Sequence, residues 1–382
     1  MNTKLMTIAL AATLFAGSNL AFAAEPRPEN SDDRMLVPEY TDFTRNIISI
    51  PDIDGYKTLK CDFHLHTMFA DAQVSPEGRV VEAWSDGLDV VCVSEHVGVY
   101  KSPGIRNNNL NLIQERAVNQ GKKLGMLVVK GVEVTRAKPF GHMNMLFLED
   151  CNVFCEERYL WDENGNEKLD ENGEKIPNRA TEITDFKAAE AQHAFIQWNH
   201  PGWPDKISDL PEFHKEMIQQ HRIHSVELFN SVEWYPKVLD WFEEYGIPMV
   251  ANSDAHKPIR VQYNGIRPMT LVFAKEYTME SLRESMFAGR MVAFFNNTLA
   301  GKADYLDQLV SHSLNVRVIN KKKGLVEISN NSDICYKALW GSHMNPVVFY
   351  PHKAIQVTLP EGTEVEFINC LVGRKCLKTV LW

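Results

Sequence analysis

The residues of this chain that could do chemistry come in pairs. His64 and His66 stand two apart in Asp62-Phe63-His64-Leu65-His66, and Asp254 and His256 stand two apart in Asp254-Ala255-His256. Alternate side chains of an extended segment point to one face, so each pair can chelate one ion through imidazole nitrogen or carboxylate oxygen. Either pair alone is weak evidence. Further candidates recur between them: Asp71 after the first pair, His96 in Ser94-Glu95-His96, Glu133 in Gly131-Val132-Glu133, His142 after Gly141, and His200 in Asn199-His200-Pro201. Imidazoles and carboxylates suit zinc, manganese or iron, and no thiolate belongs to the set.

Residues this far apart converge only if regular elements carry them. Strand-like runs cover Leu59–His66, Leu88–His96, Met126–Thr135, His142–Leu148, Phe195–Asn199, Ser225–Asn230 and Pro248–Ser253. Amphipathic stretches with helical spacing lie between several of them, at Pro76–Asp86, Leu110–Leu124, Glu182–Ala194, Glu212–Gln220 and Tyr235–Tyr245. Repeated strand-then-helix units imply crossover connections and a largely parallel α/β sheet. The candidate ligands sit at or just beyond strand ends, so a closed barrel with a site at one rim is expected.

Two segments depart from this repeat. Residues 161–179 contain Asp162-Glu163-Asn164-Gly165 and Asp170-Glu171-Asn172-Gly173. They lack the spacing and terminal Glu of an EF-hand and read as an acidic hairpin insertion. After Asn297 the helical pattern gives way to short alternating strands separated by Asn330-Asn331 and Pro360-Glu361-Gly362, which predicts a small all-β, sandwich-like domain over 298–382. The expected organisation is a cleaved segment 1–23, a polar leader 24–57, a barrel reaching residue 297, and the β domain.

Composition narrows the function classes. With 382 residues, 44% of them hydrophobic and 24% charged, the chain can bury a large core. A net charge of −10 argues against neutralising nucleic-acid phosphates. Lys4, the apolar run from Met6 to Gly17, and Ala21-Phe22-Ala23 have the three-part form of a signal peptide, too short to span a bilayer. The expectation is an exported, periplasmic or secreted protein without stable membrane insertion. Seven scattered cysteines do not indicate a disulfide framework.

Taken in order, CDFHLHTMFAD, VSEH, GVEVTR, GHMNML, NHPGW, ELFN and NSDAH resemble the motifs of the PHP (polymerase and histidinol phosphatase) superfamily of metal-dependent phosphoesterases, over about three fifths of the chain. The resemblance implies a distorted (β/α)7 barrel holding two or three divalent ions. It implies that His64, His66, Glu133 and Asp254 hold the first, that Glu133 bridges to a second on His142 and His200, and that Asp71, His96 and His256 hold a third. Glu133 and Asp254 then carry the catalytic chemistry, hydrolysis of a small phosphorylated molecule by water that the ions acidify. Two motifs depart from the common family pattern: Ala70-Asp71-Ala72 replaces Ser-Asp-Gly, and Ser94-Glu95-His96 replaces Thr-Asp-His.

Arg136 and Lys138 are candidates to clamp phosphate oxygens, and Trp203 to wall the pocket, while Glu227 and Asn230 stand as outer partners of the ligands. Two other readings remain open. One is a carbamate or carboxylic ester hydrolase of the same superfamily. The other is a metal-loaded binding module for a glycan or protein.

Overall fold

The apolar runs become strands because they are long enough to lie buried between covering helices. Val90–His96 is buried at every residue, and Leu127–Thr135 is buried at all but two. The structure, a computed structural model, describes residues 44–98, 109–155, 157–263, 267–342 and 344–382. The expected signal segment and most of the leader lie outside these. Apart from Thr44, the described residues belong to one unit, Arg45–Trp382.

The strands are β1 (Lys57–Asp62), β2 (Val90–His96), β3 (Leu127–Thr135), β4 (His142–Leu146), β5 (Phe195–Trp198), β6 (Ser225–Asn230), β7 (Glu233–Trp234), β8 (Met249–Asn252), β9 (Met269–Ala274), β10 (Met291–Phe295) and β11 (Thr298–Gly301). β1, β2 and β3 run parallel, as do β5, β6 and β8. β4 lies antiparallel between β3 and β5, so one strand departs from the expected crossover repeat. Helices Pro76–Ser85, Leu110–Leu124, Arg179–Ala191, Glu212–Gln219 and Lys237–Tyr245 supply most connections. Ser75 caps the first of these by accepting from Gly78 N, and Gly125 ends the second at φ 67°.

The sheet does not close into the expected (β/α)7 barrel. β9 runs antiparallel to β1 from Lys57 to Cys61 and so occupies the edge that β8 would need. At that seam a single bridge, Leu65 to Ala255, replaces a ladder. Side chains complete it: Asn252 Oδ1 accepts from Phe63 N at 2.9 Å, and Asp62 Oδ1 accepts from Ser253 N at 3.1 Å. Asp62 also pairs with Arg267 at 2.6 Å.

The same seam corrects the extent of the first strand. Hydrogen-bonded β1 ends at Asp62, so His64 and His66 lie beyond it, although Leu65 keeps the alternation by its bridge. Buried Arg79 then ties the two ligand-bearing segments together. It donates to His66 O at 2.7 Å, Ala255 O at 2.8 Å and Lys257 O at 2.8 Å.

The region after Asn297 contains β12 (Leu314–Asn320), β13 (Leu325–Asn330), β14 (Tyr336–Leu339), β15 (Val347–Phe349), β16 (Ala354–Thr358), β17 (Glu364–Val372) and β18 (Lys375–Val380). β12, β13 and β16 form a separate three-stranded sheet. β14, β15, β17 and β18 instead continue the large sheet, because β17 pairs parallel with β11. Helix Ala303–Ser313, absent from the sequence reading, buries Leu306, Leu309 and Val310. Among the described residues no helix is long and apolar enough to cross a membrane.

Candidate metal centre

Most candidate ligands stand at or just beyond a strand terminus, and Asp71 lies in a turn nine residues after β1. His96 and Glu133 are paired neighbours near the ends of β2 and β3, and His142 opens β4 opposite Thr135. His200 and Asp254 follow β5 and β8 in the left-handed region, at φ 23° and 46°. Such backbone costs a non-glycine residue on the order of 1–3 kcal/mol and persists where surrounding contacts enforce it. His200 is enforced by Glu227, which accepts from its backbone N at 2.9 Å.

The structure brings all nine candidates together. His64 Nε2 and His66 Nε2 face each other at 3.1 Å, and Asp254 Oδ1 lies 3.4 and 3.0 Å from them. Glu133 Oε1 lies 3.2 Å from His142 Nδ1, 3.3 Å from His200 Nε2 and 3.4 Å from His64 Nε2, while its other oxygen meets His96 Nδ1 at 2.5 Å. Asp71 Oδ1 lies 3.2 Å from His256 Nε2 and 3.5 Å from His96 Nε2. The donors fall into three compact groups: His64 with His66 and Asp254, His64 with Glu133 and His200, and His66 with Asp71, His96 and His256. His66 therefore adjoins the third set as well as the first.

The electrostatics show why protons alone serve this cluster poorly. Burial drives Glu133 and Asp254 upward, but His142, His96 and His64 around the one, and His64, His66 and His256 around the other, hold both carboxyls well below their ordinary range. Burial also pulls the imidazoles of His64, His66, His142, His200 and His256 downward, and neighbouring charges decide the outcome. Burial takes His66 to about 3, with His96 and His256 adding to the shift, and His142 to about 4 against the pull of Glu133. At His64 burial is outweighed by Asp254, Glu227 and Glu133, and the ring is raised; at His256 hydrogen bonding to Asp71 and the charge of Asp254 lift it to about 9.

The donor set fits divalent cations. Two imidazole nitrogens 3.1 Å apart need a proton or a cation between them, and buried Asp254 Oδ1 and His66 Nδ1 receive no hydrogen bond. Nitrogen and oxygen donors of this kind bind borderline and hard divalent ions.

Outer partners fix the rings. Glu227 Oε1 accepts from His64 Nδ1 at 2.9 Å and from Asn252 Nδ2 at 2.9 Å, and Asn230 Nδ2 donates to its other oxygen at 2.8 Å. Asn199 Nδ2 donates to Glu133 at 2.9 Å, and Thr135 Oγ1 lies 2.7 Å from His96 Nδ1. These contacts set which ring nitrogen faces the cavity. Glu95, which stands in the family's Thr-Asp-His position, is not among the groups that meet His96. Burial pushes its carboxyl up to about 8, and neither of its oxygens has a hydrogen-bond partner.

Arg136 requires a correction. Its guanidinium points away from the cavity into the protein, where it pairs with buried Asp185 and donates to Thr135 O at 3.1 Å and Cys155 O at 2.6 Å. Three partners in a dry interior outcompete an open cavity for an arginine that follows a strand by one residue. Lys138 is likewise engaged, by Asp205 and Ile207 O. The cavity, about 480 Å³, is lined by Arg158 instead, the one Lys or Arg among its described lining residues. Arg158 Nε has no hydrogen-bond partner. Burial and neighbouring Arg136 lower its guanidinium, and Glu133 opposes them. No local pattern marked it: it precedes the acidic insertion, outside any predicted element.

A family model described as PHP-associated matches residues 233–261, the segment that carries Asp254 and His256. The chain is similar to a two-domain Bacteroides vulgatus protein containing a predicted PHP-like metal-dependent phosphoesterase. They share 30% identity and a TM-score of 0.75 over 88% of this chain and 98% of that one. A putative metal-dependent phosphoesterase from Bifidobacterium adolescentis aligns at 13% identity and a TM-score of 0.42, over 59% of this chain and 95% of that one. No curated protein matches. An α/β sheet whose strand ends gather imidazoles and carboxylates around one buried glutamate defines a metal-binding protein. The chain belongs to the PHP superfamily.

The correction at Arg136 predicts a stability effect. Replacing Arg136 with Met leaves Asp185 buried and unpaired and is expected to destabilise the fold by about 3–5 kcal/mol in urea unfolding. The double variant Arg136→Met/Asp185→Leu should recover much of that loss. A single variant of wild-type stability would contradict the structural role.

Proposed function

We propose that the protein is a metal-dependent phosphoesterase that hydrolyses a small phosphorylated molecule. The observation that carries this reading is one cavity in which three donor groups, linked by His64 and His66, share the lining with one arginine, Arg158, among the described residues. His64, His66, Glu133 and Asp254 would hold a first divalent ion; Glu133, His142 and His200 a second; and Asp71, His96 and His256 a third. Bound ions of this kind acidify water and neutralise charge on phosphoryl oxygens.

The chain's own residues do the rest. Arg158 takes the role expected of Arg136: its unpaired Nε and partly buried guanidinium offer charge-assisted hydrogen bonds to non-bridging oxygens. Glu227 keeps the Nδ1 proton of His64, leaving Nε2 free to face the cavity. In the reaction a P–O bond to water's oxygen forms as the P–O bond to the alcohol breaks, and water's proton ends on the alcohol. No side-chain nucleophile is required.

A panel of phosphate monoesters and diesters tests the reading, with carboxylic and carbamate esters as controls. Phosphate release is expected after zinc, manganese or iron is supplied, and its loss after chelation. Asp254→Asn should lose more than the roughly 10–100-fold that removing an outer partner such as Glu227 costs. Arg158→Met should lower kcat/KM roughly 10–100-fold, the equivalent of one charge-assisted contact. Cleavage confined to the carboxylic or carbamate controls would overturn the proposal.

We also propose that Met1–Ala23 directs export to the periplasm, on the strength of its apolar run and Ala21-Phe22-Ala23. Terminal sequencing of the mature protein should then begin at Ala24. A chain that keeps Met1 in the cytoplasm contradicts it.

A further inference from the structure

Part of the cavity lining is left unused by the phosphoryl chemistry. Beside the ligands and Arg158 that lining includes Trp203, Tyr235, Val232 and Glu233. Trp203 lies immediately beside the ligands, its ring 4.9 Å from His142 and 5.6 Å from His200, yet it is 48% exposed. Val232 is 74% exposed. A large aromatic at the rim of a polar centre, left half in solvent, presents an apolar face that nothing among the described residues covers.

This wall is packed onto the fold. Tyr235 is buried, and its hydroxyl donates to Glu233. The edge of its ring packs against Gly202, where an added Cβ would come within 2.8 Å of Cε1. Only glycine allows that approach, so the loop bearing Trp203 lies close against Tyr235. Glu233 is exposed beside them and has a second carboxylate oxygen to offer.

We propose that this wall is a subsite for the organic part of the substrate, and that the part it takes is a ring with an apolar face, either an aryl group or a sugar. The inference rests on the phosphoesterase reading for the placement of the phosphate, which the ions and Arg158 would hold. An acyclic polyol phosphate presents no flat face and gains little from Trp203. Glu233 separates the two ring types: its carboxylate accepts from sugar hydroxyls, whereas a phenyl ring offers it nothing.

Steady-state kinetics on phenyl phosphate, glucose 6-phosphate and glycerol 2-phosphate test this with the metal-loaded full chain. Trp203→Ala should lower kcat/KM for the ring substrates by roughly tenfold or more relative to glycerol 2-phosphate, chiefly through KM. Trp203→Phe should restore most of the difference. Glu233→Gln should weaken glucose 6-phosphate and leave phenyl phosphate unchanged if the subsite takes a sugar, and should leave both unchanged if it takes an aryl ring.

Calorimetric binding of phenylphosphonate against methylphosphonate gives a readout independent of turnover. The wild-type preference for the phenyl compound should vanish in Trp203→Ala. Equal losses for ring and acyclic compounds, or a wild type with no preference for the phenyl group, overturn the subsite. If no phosphate ester is hydrolysed but the phosphonate preference stands, the phosphoesterase reading fails and the ring subsite survives.

Discussion

Glu133 is a carboxylate with no exposed surface, set among five imidazoles, those of His64, His66, His96, His142 and His200, brought from four different strand ends. Burying it uncompensated would cost several kcal/mol. Its arrangement with His64, His96, His142 and His200 is therefore the constraint that fixes how those strand ends must meet. Outside that ring of histidines, Asn199 and Thr135 orient its oxygens, and Glu227 orients His64 in turn. The cluster is suited to an ion because His64 Nε2 and His66 Nε2 face each other at 3.1 Å and Asp254 Oδ1 beside them receives no hydrogen bond.

The open seam of the sheet serves the same centre. Because β9 takes the outer edge of β1, the segments after β1 and β8 are released from ladder pairing just where His64, His66, Asp254 and His256 stand. Arg79, Asp62 and Asn252 replace the missing backbone bonds with side-chain bonds. Such bonds can hold a turn that a regular ladder would straighten, including the left-handed backbone at Asp254.

Much of this was legible in the sequence because it rests on local pattern. The two-residue spacing of His64/His66 and Asp254/His256 and the apolar runs before them show which residues could share a face, and the ordered motifs between them supply the rest of the ligand set. What escaped depends on contacts between distant segments. Nothing near residue 158 marks an arginine as facing the cavity, and nothing near Arg136 shows that Asp185, forty-nine residues away, would claim it. Barrel closure failed as an expectation for a similar reason: strand-and-helix order does not say that an antiparallel β9 will occupy the edge of β1. Alternation after Asn297 revealed strands but not which sheet each would join, and β17 joined the large one through β11.

The central claim is that Glu133 organises a multi-ion centre, and metal stoichiometry tests it most directly. Elemental analysis of protein equilibrated with zinc, manganese or iron should find two or three ions per chain. Glu133→Gln, folded by circular dichroism, should retain at least one ion fewer. A wild-type protein that binds no divalent ion, or a Glu133→Gln variant with the full complement, would contradict the account.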